Sequence, residues 1–112
     1  MNVLGVTLAR GGSKGVPKKN IALCAGQPLI AYTIDEAKKS ALLSRYIVSS
    51  DSQEVISVSE KYGADCPFVR PNYLSTDHAT SANCLQHACL FCESQEGIIY
   101  DYVVELMCTN PF

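Results

Sequence analysis

The run Val3-Leu4-Gly5-Val6-Thr7-Leu8, continued by Ala9-Arg10-Gly11-Gly12-Ser13-Lys14-Gly15-Val16-Pro17-Lys18-Lys19-Asn20, decides how this 112-residue chain is read. Its nearly continuous apolar opening predicts a strand over residues 2–9, covered on both faces as in a parallel sheet. The stretch after it gathers Arg10, Lys14, Lys18 and Lys19, four of the nine basic residues, and no acidic residue occurs before Asp35. Gly11, Gly12 and Gly15 allow a tight turn and a close backbone approach to a ligand. A cationic turn straight after a buried strand suits phosphate oxygens; a solvated basic loop is the plain alternative.

Working outward, Ile21 to Cys24 reads as a brief extended piece. Pro28 suits the first turn of a helix, and Leu29, Ile30, Tyr32, Thr33, Ile34 and Ala37 recur near a helical period to about Ser40. Residues 45–50 predict a second strand, after which Asp51 or Ser52 caps a helix with Val55, Ile56, Val58 and Tyr62 inward and Gly63 as its stop. Pro67 to Val69 predicts a short third strand, and residues 70–78 a polar loop. Thr80 or Ser81 opens a third helix with Ala82, Leu85, Ala88 and Phe91 on one stripe, fading over Glu93 to Gly97. Tyr102 to Met107 predicts a last, central strand. Strands alternating with helices imply one α/β domain with a parallel sheet and right-handed crossovers.

The bulk numbers agree with one small domain: 47% hydrophobic residues and a formal charge of −2. Without a basic excess, nucleic acid and membrane surfaces are poor partners, so the local positive charge points to a small anion. No run reaches the roughly 18 apolar residues of a membrane span, and no signal peptide is evident, which makes a cytoplasmic location the expectation. The six cysteines then read as reduced core thiols. The group Cys84, His87, Cys89, Cys92 hints at zinc. On a helix, however, Cys84 and Cys89 would stand about 140° apart at about 100° per residue, too far round for one ion to take all four.

Two common phosphate fingerprints fail. The P-loop pattern needs a second glycine where Val16 or Pro17 stands, and the dinucleotide pattern needs one where Lys14 stands. What remains is Arg10 at a strand end, able to grip phosphate oxygens as a fork, with lysines as movable point charges. Nucleotidyl transfer needs such an arrangement, because attack at an α-phosphorus builds charge that fixed cations must neutralise.

Residues 9–20 closely resemble the signature loop of acylneuraminate cytidylyltransferases, the CMP-sialic acid synthetases. The similarity continues through Gly26-Gln27-Pro28-Leu29-Ile30, Val48-Ser49-Ser50-Asp51-Ser52, Tyr62-Gly63-Ala64, Arg70-Pro71, Leu74-Ser75-Thr76-Asp77 and Thr80-Ser81, and so covers essentially the whole chain. The resemblance implies a Rossmann-like α/β sheet of the nucleotide-diphospho-sugar transferase type. It also implies an enzyme that joins CTP to a nonulosonic (sialic-type) acid and releases pyrophosphate. Arg10 and Lys19 take the catalytic positions on the triphosphate, with Ser13 and Lys14 beside them. Leu8, Ala9 and Asn20 match positions around the cytosine, and Arg70 and Ser81 match further nucleotide-side positions. Ser81 as a helix cap and Arg70 as a surface ion-pair partner are the alternatives.

By the same resemblance the complete enzyme uses Mg²⁺ and is a homodimer. Its metal carboxylates come from a later segment, which leaves capping rather than metal binding as the expected role of Asp51, and Asp77 poses the same choice. The chain is expected to be the nucleotide-binding amino-terminal part of one domain, cut after the fourth predicted strand, with no metal ligands of its own. Where the synthetases continue with a Gln-Pro-Thr-Ser-Pro type segment, this chain has Met107-Cys108-Thr109-Asn110-Pro111. Met107 in place of the glutamine removes an amide, which leaves another sugar acid or another nucleotide open, and the lack of metal ligands leaves an inactive nucleotide- or anion-binding fragment as the competing reading.

Overall fold

The computed structural model describes residues 1–9, 23–24, 27–74 and 80–107. In chain order these form β1 (Val3–Ala9), β2 (Leu23–Cys24), β3 (Gln27–Pro28), α1 (Leu29–Lys39), β4 (Arg45–Ser50), α2 (Gln53–Lys61), a 3-10 turn at Asn72–Leu74, α3 (Ser81–Glu96) and β5 (Tyr102–Glu105). The main sheet has the order β4-β1-β5, all parallel. Its register runs from Leu4↔Arg45 to Ala9↔Ser50 on one side of β1 and from Val3↔Tyr102 to Val6↔Glu105 on the other. The expected parallel α/β architecture is therefore present, with β1 in the middle. β5, expected as a central strand, has a neighbour only on its β1 side among the described residues.

Period-2 alternation explains why β1 is apolar throughout. Leu4 and Val6, with Ile47 of β4, pack on Ala88 and Cys92 of α3. Ala9 and Val48 face the other way, onto Ile30 and Ile34 of α1 and Val55 of α2. One helix thus covers one face and two cover the other. In α3 the buried line is Cys84, Ala88 and Cys92, spaced i, i+4, i+8, with Leu85 and Phe91 at its margins. This corrects the expected stripe: Ala82 is exposed, one turn from where the sheet begins to cover the helix.

Local chemistry sets the ends of the elements. Ser52 caps α2 by accepting from the Val55 amide at 3.3 Å, and Thr80 caps α3 by accepting from Asn83 at 3.1 Å. The cap of α2 is therefore Ser52, not Asp51. Gly63, just past α2, and Gly97, at the end of α3, both have positive φ (92° and 71°), which other residues adopt at a cost. Pro28 closes β3, paired with Leu23, instead of opening α1, which begins one residue later. Proline tolerates that edge position because it needs no ladder donor there.

No third main-sheet strand forms at residues 67–69. The chain runs beside β4 from Asp65, where the Val48 amide donates to the Asp65 carbonyl at 2.9 Å. The next donor a parallel ladder would require is the amide of residue 67, and Pro67 has none. Pairing stops after one bridge, and contact resumes only where the Arg70 amide donates to Ser50 at 2.8 Å.

At the opposite end of the sheet Arg45 forks between Asp65 (2.9 Å) and Glu96 (3.0 Å). Glu96 also takes the Tyr100 hydroxyl, and these two partners, Tyr100 first, hold its carboxyl below the usual range. Within the sheet, Thr7 donates to the Leu106 carbonyl at 2.8 Å. A threonine hydroxyl has one proton, so the Tyr46 hydroxyl, 2.5 Å away, donates to Thr7. This chain of two bonds joins β4, β1 and the residue that follows β5. Thr7→Val is therefore expected to lower stability by about 1–3 kcal/mol, more than Tyr46→Phe, because it takes a partner from both Leu106 and Tyr46. Urea denaturation of the two variants checks the order.

Candidate functional site

Because β1 and β4 run parallel and in register, their carboxyl ends lie level, with Leu8 opposite Ser49 and Ala9 opposite Ser50. Ligands of open α/β sheets bind beyond such ends. The Arg70 guanidinium, only 2% exposed, spans both strands there: Nη1 donates to the Ser49 carbonyl at 3.3 Å and Nη2 to the Ala9 carbonyl at 3.4 Å. With the main-chain bond to Ser50, one residue ties together the last carbonyls of two strands. Arg70 is thus a buried clamp, which corrects the alternative of a surface ion-pair partner. A buried guanidinium keeps its charge, so it also leaves positive potential under the strand ends.

Around this clamp the polar groups are ordered. Ser50 Oγ accepts from the Ser52 amide at 3.1 Å, and Ser52 in turn caps α2. The amino end of α2 and its dipole therefore stand at the same edge of the sheet. On the α3 side, Cys84 Sγ donates to the Leu74 carbonyl at 3.3 Å, which seats the start of α3 against the 3-10 turn that follows Arg70. His87, one helical turn on, meets Phe68 edge to face with ring centroids 4.7 Å apart. Its Nδ1 is buried, as is Ser49 Oγ, and neither has a hydrogen-bond partner among the described residues. Burial first, and the Arg70 charge second, push the His87 pKa down.

Of the residues singled out from the sequence, Leu8, Ala9, Arg70 and Ser81 are described. Ala9 and Arg70 come together directly; Leu8, half-buried, packs against the α3-side core. The Ala9 side chain lies in the opposite core, so only its backbone faces the strand end. Ser81 is exposed in the first turn of α3, and the cap is Thr80. Arg10, Ser13, Lys14, Lys19 and Asn20, together with Asp77, lie outside the described residues. Sequence reasoning missed Ser49 as a buried hydroxyl and His87 as a neighbour of Arg70. The only signal for either was its place beside a strand end or on the inner side of α3.

Of the described thiols two are core groups and two, Cys66 and Cys89, are half-buried. Cys84 and Cys92 are buried and free, and burial, the largest influence, pushes Cys92 up to about 11. Cys66 is pushed up to about 12, by burial and then by Glu60 and Asp65. Both stay protonated at neutral pH and are poor nucleophiles. Among the described residues no group of three or more His, Cys, Asp or Glu could hold a metal ion. Nor is any described helix long and apolar enough to cross a membrane.

Comparison with known proteins defines the class. The cytidylyltransferase family matches residues 4–112, and the chain belongs to that family. It is 46% identical over 111 residues to the pseudaminic acid cytidylyltransferase of Campylobacter jejuni strain 81-176, a match covering 99% of this chain and 47% of that protein. It is 39% identical over 112 residues to the CMP-N,N'-diacetyllegionaminic acid synthase of Legionella pneumophila, covering 100% of this chain and 48% of the relative. A shorter match, 40% over 86 residues, links it to the N-acylneuraminate cytidylyltransferase of Escherichia coli O18:K1:H7, covering 77% and 20% of the two chains. Among solved structures, CMP:2-keto-3-deoxy-manno-octonic acid synthetase complexed with CTP superposes with a TM-score of 0.75 at 21% identity, over 99% of this chain and 42% of that one. That likeness shows the Rossmann-like fold. The chain spans about half the length of the curated relatives that it matches most fully.

The depressed His87 pKa has a definite sign in stability. An unfolded histidine titrates near 6.5. Between that value and the lower folded one the unfolded state binds more protons, so stability is complete above about pH 6.5 and falls as pH drops through the folded pKa. His87→Gln is expected to flatten this acid-side loss below about pH 6.5, as read from urea midpoints. An unchanged slope would show that the pKa of His87 does not differ between the folded and unfolded states.

Proposed function

We propose that this chain is the nucleotide-binding half of a cytidylyltransferase that transfers the cytidylyl group of CTP to the anomeric hydroxyl of a nonulosonic acid. The observation that carries the reading is the buried Arg70 fork on the carbonyls of Ala9 and Ser49, at the point where Ala9 leads into the cationic stretch 10–20. A rigid root is what a phosphate-positioning loop needs, since misplacing reacting groups by about 1 Å costs about 100-fold in rate.

In the reaction the sugar-acid oxygen forms a bond to the α-phosphorus while the bond from that phosphorus to its bridging oxygen breaks. Pyrophosphate leaves with the electron pair, and the hydroxyl proton passes to solvent. Arg10 and Lys19 are assigned to the developing charge on the phosphoryl oxygens, the first as a planar fork and the second as a point charge. Ser13 and Lys14 hold the triphosphate beside them. Leu8, Ala9 and Asn20 frame the cytosine, and Ala9 contributes its backbone because its side chain is buried. Arg70 serves the nucleotide side by fixing the strand ends, and Ser81 by standing at the amino end of α3. The Mg²⁺ and the homodimer expected from the resemblance are assigned to the part of the relatives outside the matched stretch. The names of the relatives support a nonulosonic acid as the class of acceptor.

The test joins residues 1–112 to the remaining part of the Campylobacter relative and measures pyrophosphate release with CTP, Mg²⁺ and a panel of pseudaminic, legionaminic and N-acetylneuraminic acids. Release is expected only when a sugar acid and CTP are both present, with Arg10→Ala and Lys19→Ala each losing about 100-fold or more. Absence of turnover across the panel would sink the assignment. The coverage of only about half of each full relative favours, as a second reading, a binder without activity of its own. Calorimetry of the 112-residue chain separates the two: selective CTP binding supports the nucleotide site, whereas equal weak binding of CTP, GTP and pyrophosphate reduces it to a general anion loop.

A further inference from the structure

We infer that His87 is a positioning residue of the nucleotide site: it acts through Arg70, and it keeps that clamp seated on the Ala9 and Ser49 carbonyls only while its buried Nδ1 carries no proton. This role rests on the nucleotide site proposed above.

The clamp needs support from its surroundings. Its two bonds, 3.3 Å to Ser49 and 3.4 Å to Ala9, exceed the usual range of about 2.7–3.2 Å, so neighbours decide how firmly the guanidinium sits. α3 supplies that support from one side. Phe68, in the segment that leads to Arg70, lies edge to face against both His87, at 4.7 Å, and Phe91, at 4.9 Å between ring centroids. Ser49 lies on the same side of the sheet, because it alternates in phase with Ile47, which packs on α3.

Two polar atoms there are out of keeping with mere packing. His87 Nδ1 and Ser49 Oγ are both buried, and neither has a hydrogen-bond partner among the described residues. An unpaired buried polar atom costs about 1–3 kcal/mol, and Phe91 shows that a plain ring suffices to hold Phe68. A bare imidazole nitrogen does what a phenyl ring cannot: its lone pair is attracted by the guanidinium charge that bears on it.

A proton on Nδ1 inverts that interaction, because it sets a second positive charge beside a buried one. The surroundings do little to offset it. From the segment after Pro67 the charged neighbour is Arg70, whose effect, after that of burial, is to keep His87 neutral. β4 presents the neutral Ser49. On α3, Cys84 is spent on the Leu74 carbonyl, and Glu93 is engaged by Cys89 and by the Tyr100 amide. Protonation therefore pushes Arg70 off its two carbonyls and loosens the strand end that leads into residues 10–20.

Nuclear magnetic resonance of the 112-residue chain tests the coupling without any ligand. At about pH 7.5 the His87 ring should carry its proton on Nε2, and the Arg70 Nε resonance should shift in step with His87 protonation below about pH 6.5. An Arg70 signal indifferent to His87, or a proton on Nδ1 at the higher pH, would overturn the inference. Calorimetry with CTP then reads the consequence for binding. Affinity should fall about 5-fold or more as His87 protonates, measured against a His87 variant so that the ionisation of CTP itself cancels. His87→Phe, which keeps a ring against Phe68 but no acceptor, should lose a similar factor already at about pH 7.5 and show no acid limb. His87→Gln, whose amide oxygen replaces the Nδ1 lone pair, should recover most of that affinity, again without the limb. A phenylalanine variant that binds as the wild type does, or a limb that survives both substitutions, would show that His87 only packs. If the chain binds no nucleotide at all, the proposed function falls, while the Arg70 resonance still decides whether His87 holds the clamp.

Discussion

Everything described is measured from β1. Among the described residues it is the one strand paired with another strand on each side, and both its faces are buried, one under α3 and the other under α1 and α2. That double constraint is why its sequence is apolar without alternation, and why a one-residue slip has no acceptable alternative. The hydroxyl of Thr7 sharpens the constraint. Placed inside an otherwise apolar sheet, it is satisfied only when β4 presents Tyr46 and the chain after β5 presents the Leu106 carbonyl. Register, and with it the level ending of Ala9 and Ser50, is therefore fixed by polar as well as apolar contacts.

The candidate site is a consequence of that level ending. Two strands that finish together offer adjacent carbonyl groups, and a buried guanidinium can donate to both. Arg70 uses that opportunity. Its charge then acts on its surroundings: it contributes to the lowered pKa of His87 and leaves positive potential under the strand ends. Structure and electrostatics share one residue, so variants of Arg70 should disturb both together.

Much of the fold was legible in local pattern. β1, β4, α2 and α3 declare themselves through periodicity, and Ser52, Gly63, Thr80 and Gly97 through the dihedral and capping demands of helix ends. What sequence could not show was decided by distant partners. Pro67 to Val69 has strand-like composition, but one missing donor prevents the ladder from continuing. The inner line of α3 depends on where the sheet meets it, which made Cys84 and Cys92 core residues and left Ala82 outside. Arg70 sits in a polar stretch and looks like a surface cation until the carbonyls of Ala9 and Ser49, 61 and 21 residues away, are placed beside it. For the site itself, the resemblance supplied the roles expected within residues 10–20, whereas the clamp at the strand ends emerged only in three dimensions.

The central place of β1 also has a temporal side. It joins Leu106 through a hydrogen bond that spans 99 residues, and its second edge is filled by β5. In amino-to-carboxyl synthesis β4 reaches β1 early, but the other edge must wait until nearly the whole stretch has been made. Contacts of such long separation are slow to close, and an unfilled inner strand is prone to mispair in the interval. The strand made first is thus the last to be completed, so the residues before Tyr102 face a delay that none of their own contacts can shorten.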